Sequence, residues 1–410
     1  MAKEKIPGVS RELLEKCVRC GSCRTVCPVF NVTREEPSVA RGKIFLANMI
    51  NQGVVELDRE AAHFFNLCTT CLRCAEICPV MVDYEKIIIP ARSLAVEKFG
   101  LSPEKKAAVK LFSHRKLLET ATKLSAPFTK LLPKSSQSSQ NRLLPFKIPK
   151  LGKVLIPEPK AKPFNDRDKW FKADKEKGKV VFFTGCMFNN FYTQTAENVV
   201  KVLNALGYSV FVPKEQGCCG APALFSGDLK TFERLKEENF KVFKELKEDF
   251  DFAVTACATC GHVLKSFYKS FPYSVKELIE VLFENIDKIK GWKYPQPIKV
   301  TWHHPCHIVR GQKIPRNYPI DVLKALQNVK FISMEEADNC CGMGGSFKLS
   351  YPEISRKIQL KKAKNIEATA ADAVSTECPG CVMNIAEGLE RVSSKVKALH
   401  IADLLVECEK

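Results

Sequence analysis

The second half of the chain alternates short apolar runs with longer amphipathic stretches. Runs rich in β-branched and aromatic residues predict strands at 180–183, 209–212 and 252–255. Between them, apolar positions recur at helical spacing over 193–206 and 229–246. Strands that alternate with helices predict an α/β lobe with a small, mainly parallel sheet.

The same pattern then occurs a second time. Strands are predicted at 298–302, 330–332 and 373–375, and helices at 318–326 and 352–369. The cysteines repeat with the pattern at offsets of 120 to 122 residues, which pairs Cys186 with Cys306, Cys218 and Cys219 with Cys340 and Cys341, and Cys257 and Cys260 with Cys378 and Cys381. We interpret this as an internal duplication that forms two lobes, 179–293 and 294–410. Each cysteine group follows a strand, where α/β folds place ligands.

The first part of the chain lacks this alternation. Residues 1–100 carry eight cysteines and an amphipathic stretch that ends near Gly53, which predicts a helical domain. Residues 101–178 carry no cysteine and contain several prolines and a Ser/Gln run, so we expect a basic linker that is helical over 101–132 and extended after that. The predicted fold class is α+β: an α-helical N-terminal domain, then two duplicated α/β lobes.

Nineteen cysteines in 410 residues suggest either a disulfide framework or metal ligation. Disulfide-dense proteins are usually small and secreted, whereas this chain is long and its first ten residues have no apolar signal segment. No run of about 18 apolar residues occurs that would predict a membrane span. We therefore expect reduced, metal-binding cysteines in a cytoplasmic protein.

The net charge of +18 is concentrated in the middle of the chain. Residues 98–179 contain 21 Lys/Arg against 7 Asp/Glu. Such a segment is compatible with nucleic acid, an anionic membrane surface or an acidic partner, and equally with a solvated connector. Within it, Lys116, Lys123 and Lys130 stand beside leucines, a pattern that fits either a helix lying on the inner face of the membrane or one covering the ferredoxin domain.

Two runs with one spacing, C-x2-C-x2-C-x3-C-P, dominate the N-terminal part. They comprise Cys17, Cys20, Cys23 and Cys27, and Cys68, Cys71, Cys74 and Cys78. In this bacterial two-cluster ferredoxin spacing the fourth cysteine ligates the other cluster. Cys17, Cys20, Cys23 and Cys78 are thus expected to hold one 4Fe–4S cubane, and Cys68, Cys71, Cys74 and Cys27 the other. Zinc ribbons also use C-x2-C pairs, but they do not need the third cysteine or the trailing Cys-Pro.

The two repeats each offer five cysteines, one more than a cubane or a zinc ion takes. The first set is Cys186, Cys218, Cys219, Cys257 and Cys260, and the second is Cys306, Cys340, Cys341, Cys378 and Cys381. An extra thiolate permits an open, noncubane cluster with an iron that a substrate can reach. An ordinary cubane with a spare cysteine, and a zinc or empty structural site, remain alternatives.

Three histidines flank Cys306, namely His303, His304 and His307. They fit a proton donor beside a cluster, and they fit packed, hydrogen-bonded strand-end residues. Cys408 lies outside every motif and is expected to be a packed thiol. No G-x-G-x-x-G follows a predicted strand, so the sequence shows no flavin or nicotinamide site, and electrons are expected to come from a partner.

Two Cys…Cys-Cys-Gly…Cys-x-x-Cys sets resemble the catalytic Cys-Cys-Gly subunit of heterodisulfide reductase and the iron–sulfur subunits of glycolate oxidase, lactate utilisation enzymes and anaerobic glycerol-3-phosphate dehydrogenase. The segment PSVARGKIFLANMI is most similar to the glycolate oxidase subunit, and NCCGMGGSFKLSYPEIS to the lactate-utilisation proteins. The ferredoxin pair joined to two Cys-Cys-Gly sets resembles the large subunit of membrane-associated heterodisulfide reductase. The resemblance implies noncubane 4Fe–4S clusters on the five-cysteine sets.

From this resemblance we expect an electron-transfer subunit of a flavin-linked glycolate or lactate oxidoreductase. Its partners would be an FAD-containing dehydrogenase subunit and a membrane quinone-reducing protein. A heterodisulfide-reductase-like catalytic subunit, whose ten Cys-Cys-Gly cysteines perform the chemistry, is the alternative. A zinc-bound nucleic-acid-binding protein is a third hypothesis, but no basic recognition helix or interleaved aromatic residues support it.

Overall fold

The computed structural model describes residues 5–147 and 152–410. The chain divides into two compact units, each built from segments that are discontinuous in sequence. The first unit comprises Met1–Lys110, Gly220–Arg234 and Gly342–Ile358, of which residues 5 onward are described, and the second comprises Leu111–Cys219, Leu235–Cys341 and Gln359–Lys410.

The N-terminal segment is helical, as predicted. Its elements are α1 (Arg11–Glu15), α2 (Ser22–Val26), α3 (Pro28–Thr33), a 3₁₀ turn (Glu36–Ser38), α4 (Ala40–Gln52), α5 (Arg59–Asn66), α6 (Arg73–Glu76), α7 (Glu85–Phe99) and α8 (Pro103–Ser113). Side-chain caps fix several boundaries: Ser10 caps α1 and Asp58 caps α5 by accepting from backbone N–H groups. Gly53 ends α4 in the left-handed conformation that glycine adopts readily.

The predicted linker has more structure than the sequence suggested. It contains α9 (Arg115–Lys130), β1 (Asn141–Leu143), β2 (Leu155–Pro157) and β3 (Lys169–Phe171). The first two strands pair antiparallel, so the part expected to be extended includes a small ladder. The helical start was predicted correctly.

The first repeat forms a five-stranded sheet. Its elements are β4 (Gly178–Phe182), α10 (Gly185–Asn190), α11 (Thr193–Ala205), β5 (Tyr208–Val212), α12 (Ala221–Leu224), α13 (Leu229–Lys244), β6 (Phe252–Thr255), α14 (Ala258–Phe267), β7 (Val275–Glu277), α15 (Leu278–Glu284) and α16 (Ile286–Ile289). The strand order is β3-β5-β4-β6-β7, and every pair is parallel except β3 with β5.

The second repeat has the same topology. Its elements are β8 (Lys293–Trp302), a π-helix (His307–Gly311), α17 (Asn317–Ala325), β9 (Gln327–Phe331), α18 (Phe347–Ser350), α19 (Pro352–Glu367), β10 (Ala373–Thr376), α20 (Pro379–Arg391), β11 (Lys397–His400) and α21 (Ile401–Leu405). The order β11-β10-β8-β9 is the first sheet's order without its antiparallel edge strand. Both sheets are therefore mainly parallel, and the duplication seen in the sequence is a duplication of topology.

The central strands of the first sheet are covered on both faces. Val180, Val181 and Phe182 of β4 and Ala253 and Val254 of β6 are almost fully buried, as expected for strands of a parallel sheet. In each repeat the chain passes from the central strand to one neighbour and then to the other. This reversal creates a crevice at the carboxyl ends of β4 and β6, and of β8 and β10, where ligands of open α/β sheets bind.

Two segments that follow the Cys-Cys-Gly motifs belong to the first unit. Phe347 is buried in one hydrophobic cluster with Val29 and Leu67 of the N-terminal domain. A Cβ added to Gly227 would lie 2.6 Å from the backbone carbonyl of Arg92, so this segment also touches the domain directly. No helix in the described ranges combines the length and the apolar character needed to cross a bilayer.

Candidate metal centres

The eight ferredoxin-type cysteines line two cavities in the first unit. Cys17, Cys20, Cys23 and Cys78 line one cavity, and Cys27, Cys68, Cys71 and Cys74 line the other, while Cys74 also reaches the first. This is the grouping that the crossed ligand pattern predicts, with one cysteine exchanged between the two motifs. The individual assignment of ligands to clusters stays a prediction.

Left-handed residues allow three thiols of one loop to face a single cavity. Arg19 and Gly21 in the first motif and Thr70 and Leu72 in the second all have positive φ angles. Backbone N–H groups also point at the sulfur atoms, for example from Thr70 to Cys68 Sγ at 3.3 Å. These donors suit sulfur that carries negative charge.

Two buried cations support the second cavity and were not given a role by the sequence. Lys43 is almost fully buried and donates to the carbonyl oxygens of Pro37, at 3.2 Å, and Ser38. Burial lowers the pKa of Lys43, whereas the nearby thiols of Cys68 and Cys27 favour its charged form. Arg92 donates to the carbonyl oxygen of Cys68 at 2.7 Å and so fixes the cysteine loop. A buried cation next to a cluster offsets the charge of the thiolates.

The first Cys-Cys-Gly site lies at the carboxyl ends of β4, β5 and β6. The thiols of Cys186 and Cys218 are in hydrogen-bond contact, as are those of Cys219 and Cys260 and of Cys257 and Cys260. Contact with Cys218 and burial raise the pKa of Cys186 well above its usual value. Five sulfur donors are thus placed in one connected group.

The turn that presents the adjacent cysteines is held by neutral side chains. Gly220 adopts a positive φ, which glycine allows without steric cost, and this lets the chain turn directly after Cys-Cys. Asn239 donates to the carbonyl oxygen of Cys218 at 2.8 Å, and the hydroxyl of Tyr268 donates to that of Cys219 at 3.1 Å. Both are buried, and sequence patterns alone did not mark either residue.

The second Cys-Cys-Gly site shares this architecture. Cys341 and Cys381 lie with their sulfur atoms 3.5 Å apart, and Cys381 also contacts Cys378. Cys378 occupies the N-cap position of α20, as Cys257 does in α14, so thiols stand at helix N-termini, where the helix dipole favours negative sulfur. Cys306 precedes the π-helix and is partly exposed, and the buried Cys340 lies close enough to Lys362 to interact electrostatically.

Asn384 donates to the carbonyl oxygen of Cys341 at 2.7 Å, as Asn239 does to that of Cys218, and charged side chains hold the segment just before this second turn. Lys362 donates to the carbonyl oxygens of Glu336 and Ala337 at 2.5 and 3.3 Å, and burial lowers its pKa to about 8. The guanidinium of Arg310, which is buried, pairs with Asp338 at 2.8 Å. The two sites therefore have similar sulfur donors in different electrostatic surroundings.

The two Cys-Cys-Gly sites meet inside the second unit. The thiols of Cys257 and Cys378 are in hydrogen-bond contact. Beside them, Glu277 and Glu377 are fully buried and hydrogen-bonded to each other, and burial raises the pKa of Glu277 to about 8. Burial and the neighbouring Glu277 also raise the pKa of Glu377 well above its usual value, so both carboxyl groups favour their neutral form.

The histidines differ in their surroundings. His307 Nδ1 lies 3.2 Å from Thr259 Oγ1. The centroids of the His307 and His262 rings lie 4.9 Å apart, with the rings tilted by 41°. His304 is buried, which lowers its pKa to about 4. Of the three, His303 has a ring nitrogen that lies within 4.8 Å of the sulfur atoms of Cys341 and Cys381. Cys408 is buried outside these sites, so the expectation of a packed thiol is confirmed.

Comparison with known proteins bears on these sites directly. Residues 13–82 match the family described as "4Fe-4S dicluster domain", and residues 180–265 and 300–386 both match "Cysteine-rich domain". A Bacillus subtilis protein named "Probable glycolate oxidase iron-sulfur subunit" is 30% identical over 420 residues, covering 97% of this chain and 94% of the relative. The chain belongs to this family of oxidoreductase iron–sulfur subunits.

Other relatives align with nearly the whole chain. An "Uncharacterized iron-sulfur protein" of Methanocaldococcus jannaschii is 32% identical over 408 residues, covering 96% of this chain and 73% of the relative. One of the subunits of the Methanosarcina barkeri enzyme named "Dihydromethanophenazine:CoB--CoM heterodisulfide reductase" is 26% identical, covering 96% of this chain and 93% of the relative. The glycolate oxidase and heterodisulfide reductase resemblances are both confirmed.

The residues present fit the iron–sulfur clusters that this family implies. All 19 cysteines are free thiols, and each ferredoxin-type cavity is lined by the four cysteines that a cubane needs. In the Cys-Cys-Gly sites, thiols contact one another without forming disulfides, and these contacts together with burial raise the pKa values of Cys186 and Cys381. Metal binding would replace these protons, since thiolates are the ligands.

Proposed function

We propose that this chain is the electron-transfer subunit of a flavin-linked 2-hydroxyacid oxidoreductase. An FAD-containing partner would oxidise glycolate or lactate, and this chain would carry the electrons toward quinone or another acceptor. The relative named as a glycolate oxidase subunit supports the proposal along the whole chain. Two cubane clusters in the first unit, and one or two noncubane clusters in the second, are the proposed cofactors.

The contacts of the second cavity carry this proposal. Cys27, which lines that cavity, packs against the cluster of Val29, Leu67 and Phe347. Phe347 lies on the segment that begins at Gly342, and Gly342 is covalently joined to Cys341 of the second Cys-Cys-Gly site. Electrons are proposed to cross the two cubanes and then the Cys-Cys-Gly sites.

The protein's own residues have three tasks in this scheme. The cysteines hold the clusters, which supply one-electron transfer when bound. Arg92 and Lys43 balance thiolate charge around the second cavity. Asn239 and Asn384 donate to the carbonyl oxygens of Cys218 and Cys341 and so fix the two Cys-Cys-Gly turns. Burial of eight of the ten Cys-Cys-Gly cysteines excludes water, and burial and hydrogen bonds together set cluster potentials.

The test uses anaerobically purified full-length chain and a flavoprotein that co-purifies with it. Addition of glycolate or lactate to the complex is expected to bleach the visible absorbance of the clusters. Cys68→Ser should reduce the bleaching, because it removes a predicted ligand of one of the two cubanes, whereas Cys408→Ser is the matched control and should behave like wild type. A complex that oxidises the acid while the clusters stay oxidised would refute the proposal.

The contact between Cys257 and Cys378 favours one second candidate, a disulfide reductase. Cleavage of a heterodisulfide needs two electrons and two protons and yields two thiols. Two redox sites side by side can each supply one electron, and the Glu277–Glu377 pair lies beside them. The test mixes the isolated chain with a reduced viologen dye and a mixed disulfide of two thiols. Turnover of the disulfide by the chain alone would favour the reductase over the electron-transfer subunit.

We also propose that α9 attaches the protein to an anionic membrane surface. Leu117, Leu124 and Phe128 of α9 and Leu131 just beyond it are exposed by 43%, 67%, 73% and 84%, whereas the opposite face of the helix is buried. Lys116, Lys123 and Lys130 border this apolar stripe. The single acidic residue of the helix, Glu119, is already paired with Arg115 at 2.7 Å. An exposed apolar stripe with a basic border is typical of interfacial helices.

Vesicle flotation tests this attachment. The full chain is expected to float with vesicles containing phosphatidylglycerol and less with pure phosphatidylcholine, and added salt should weaken the binding. The double variant Leu124→Glu with Phe128→Glu should lose it, while Leu349→Glu, at a comparably exposed leucine elsewhere, should not. Failure to bind anionic vesicles would refute the lipid surface. Binding that requires a membrane protein instead would make α9 a protein-docking helix.

A further inference from the structure

One position distinguishes the two Cys-Cys-Gly sites more than any cysteine does. It lies three residues before the first cysteine of each set, next to the carboxyl end of the central strand. The first repeat has Phe183 there and the second has His303, and both side chains are buried. The duplication therefore places an aromatic hydrocarbon ring in one site and an imidazole in the other.

The imidazole of His303 is directed at two thiols. A ring nitrogen of His303, Cys341 Sγ and Cys381 Sγ all lie within 4.8 Å of one another. The Nδ1 atom lies 3.2 Å from the carbonyl oxygen of Ala337, and Nε2 has no hydrogen-bond partner among the described residues. A carbonyl oxygen only accepts, so Nδ1 carries the proton and Nε2 keeps its lone pair.

The hydrogen bond from Nδ1 fixes the orientation of the buried ring. A neutral imidazole whose other nitrogen donates to a backbone carbonyl is the form in which histidine binds metals. A buried nitrogen without a partner is unfavourable, so a ligand at Nε2 gives the arrangement a physical reason.

We propose that His303 Nε2 is a sixth protein ligand, in addition to the five cysteines, for the metal group of the second Cys-Cys-Gly site. The second site then has mixed nitrogen and sulfur coordination, whereas the first, with Phe183 in the equivalent position, has only sulfur. The inference rests on the proposed metal group in this site and not on the substrate or the direction of electron flow. It makes the two sites chemically unequal, so that they would differ in reduction potential.

The test is pulsed EPR of the reduced, anaerobically purified full-length chain, grown with either ordinary or ¹⁵N-labelled histidine. Direct coordination predicts a strong nitrogen hyperfine coupling that changes with the isotope. Where the site holds diamagnetic zinc, Co²⁺ exchanged into it is the paramagnetic probe. A preparation whose paramagnetic sites show no coupling to histidine nitrogen would overturn the proposal, and so would a second site that binds no metal.

Two variants sharpen the assignment. His303→Phe, which copies the residue of the first repeat, is expected to lose the histidine coupling while keeping the ferredoxin-type signals. His304→Gln is the matched control because this neighbouring histidine is also buried but is not grouped with the thiols, and the coupling should persist. A coupling that survives His303→Phe would assign it to another histidine and refute the proposal. The wild-type isotope experiment stands even if a variant fails to fold.

Failure of this inference is distinguishable from failure of the proposed function. A chain that accepts electrons from its flavoprotein but lacks the histidine coupling loses only the ligand assignment. A chain with the coupling that accepts no such electrons keeps the ligand and loses the 2-hydroxyacid role.

Discussion

Replacement of Phe347 by alanine should destabilise a domain that lies almost 300 residues earlier in the sequence. Phe347 belongs to the short helix α18 behind the second Cys-Cys-Gly motif. Its ring is buried against Val29 and Leu67, and Cys27 packs against the same cluster. Phe347→Ala therefore opens a cavity in the core that supports the second ferredoxin-type site.

The magnitude follows from the burial of the three side chains. Phe347 is 3% exposed, and Val29 and Leu67 are each 1% exposed. A fully buried Phe→Ala change costs ~3–5 kcal/mol, since the lost transfer free energy is increased by the cavity left behind. Because each 1.4 kcal/mol is a factor of ten, the ratio of folded to unfolded protein should fall by at least ~100-fold.

Anaerobic urea unfolding, followed by cluster absorbance and by circular dichroism, measures the effect. Leu349→Ala is the control, because Leu349 lies in the same short helix but is 45% exposed, and it should change stability by less than ~0.5 kcal/mol. We expect the cluster of Cys27 to be lost at lower urea in Phe347→Ala. If stability falls by less than ~1 kcal/mol, and the dependence of the unfolding free energy on urea concentration is unchanged, this packing does not hold the domain together.

Three further perturbations test other parts of the structure. Burial lowers the pKa of Lys105 to about 7 from 10.5. Between these pH values the unfolded state binds more protons, so the free energy of unfolding should rise with pH. Lys105→Met should remove this pH dependence, which urea unfolding at several pH values measures. Gly227→Ala should lower the stability of the protein by more than ~1 kcal/mol in thermal unfolding, because φ at this position is +92° and a Cβ would lie 2.6 Å from the carbonyl of Arg92. Gly345→Ala is the control and should cost less, because a Cβ there would meet open space. Asn239→Ala should speed metal loss from the first Cys-Cys-Gly site under a chelator, because a buried hydrogen bond of the turn is removed; unchanged release would show that the turn is held otherwise.

The sequence predicted six strands and four helices of the two repeats, most of them within two or three residues of the observed bounds. The strand predicted at 252–255 is β6, and the helix predicted at 193–206 is α11. It missed β3, β7 and β11, which are three or four residues long and contain charged or polar residues. Such strands have no alternating pattern of their own and are defined only by their neighbours.

The candidate sites divide in the same way. Cysteine spacing is local, because three thiols on one loop can reach one cluster only at those separations, and the sequence therefore identified every cysteine group. Lys43, Arg92, Asn239 and Lys362 support those groups from distant positions or through buried backbone contacts. No local pattern marks a lysine as buried, so these residues appear only in the folded protein.

The sequence by itself determined the metal-binding motifs and the order of the main elements: two ferredoxin-type motifs, a duplicated five-cysteine set, and the strands and helices around them. Only the tertiary structure showed that Phe347 completes the core of the N-terminal domain, that Cys257 meets Cys378, and that a ring nitrogen of His303 faces two thiols. The physical reason is that ligand spacing and hydrophobic period are encoded over a few residues. Contacts between segments far apart in the chain depend on how complete elements pack.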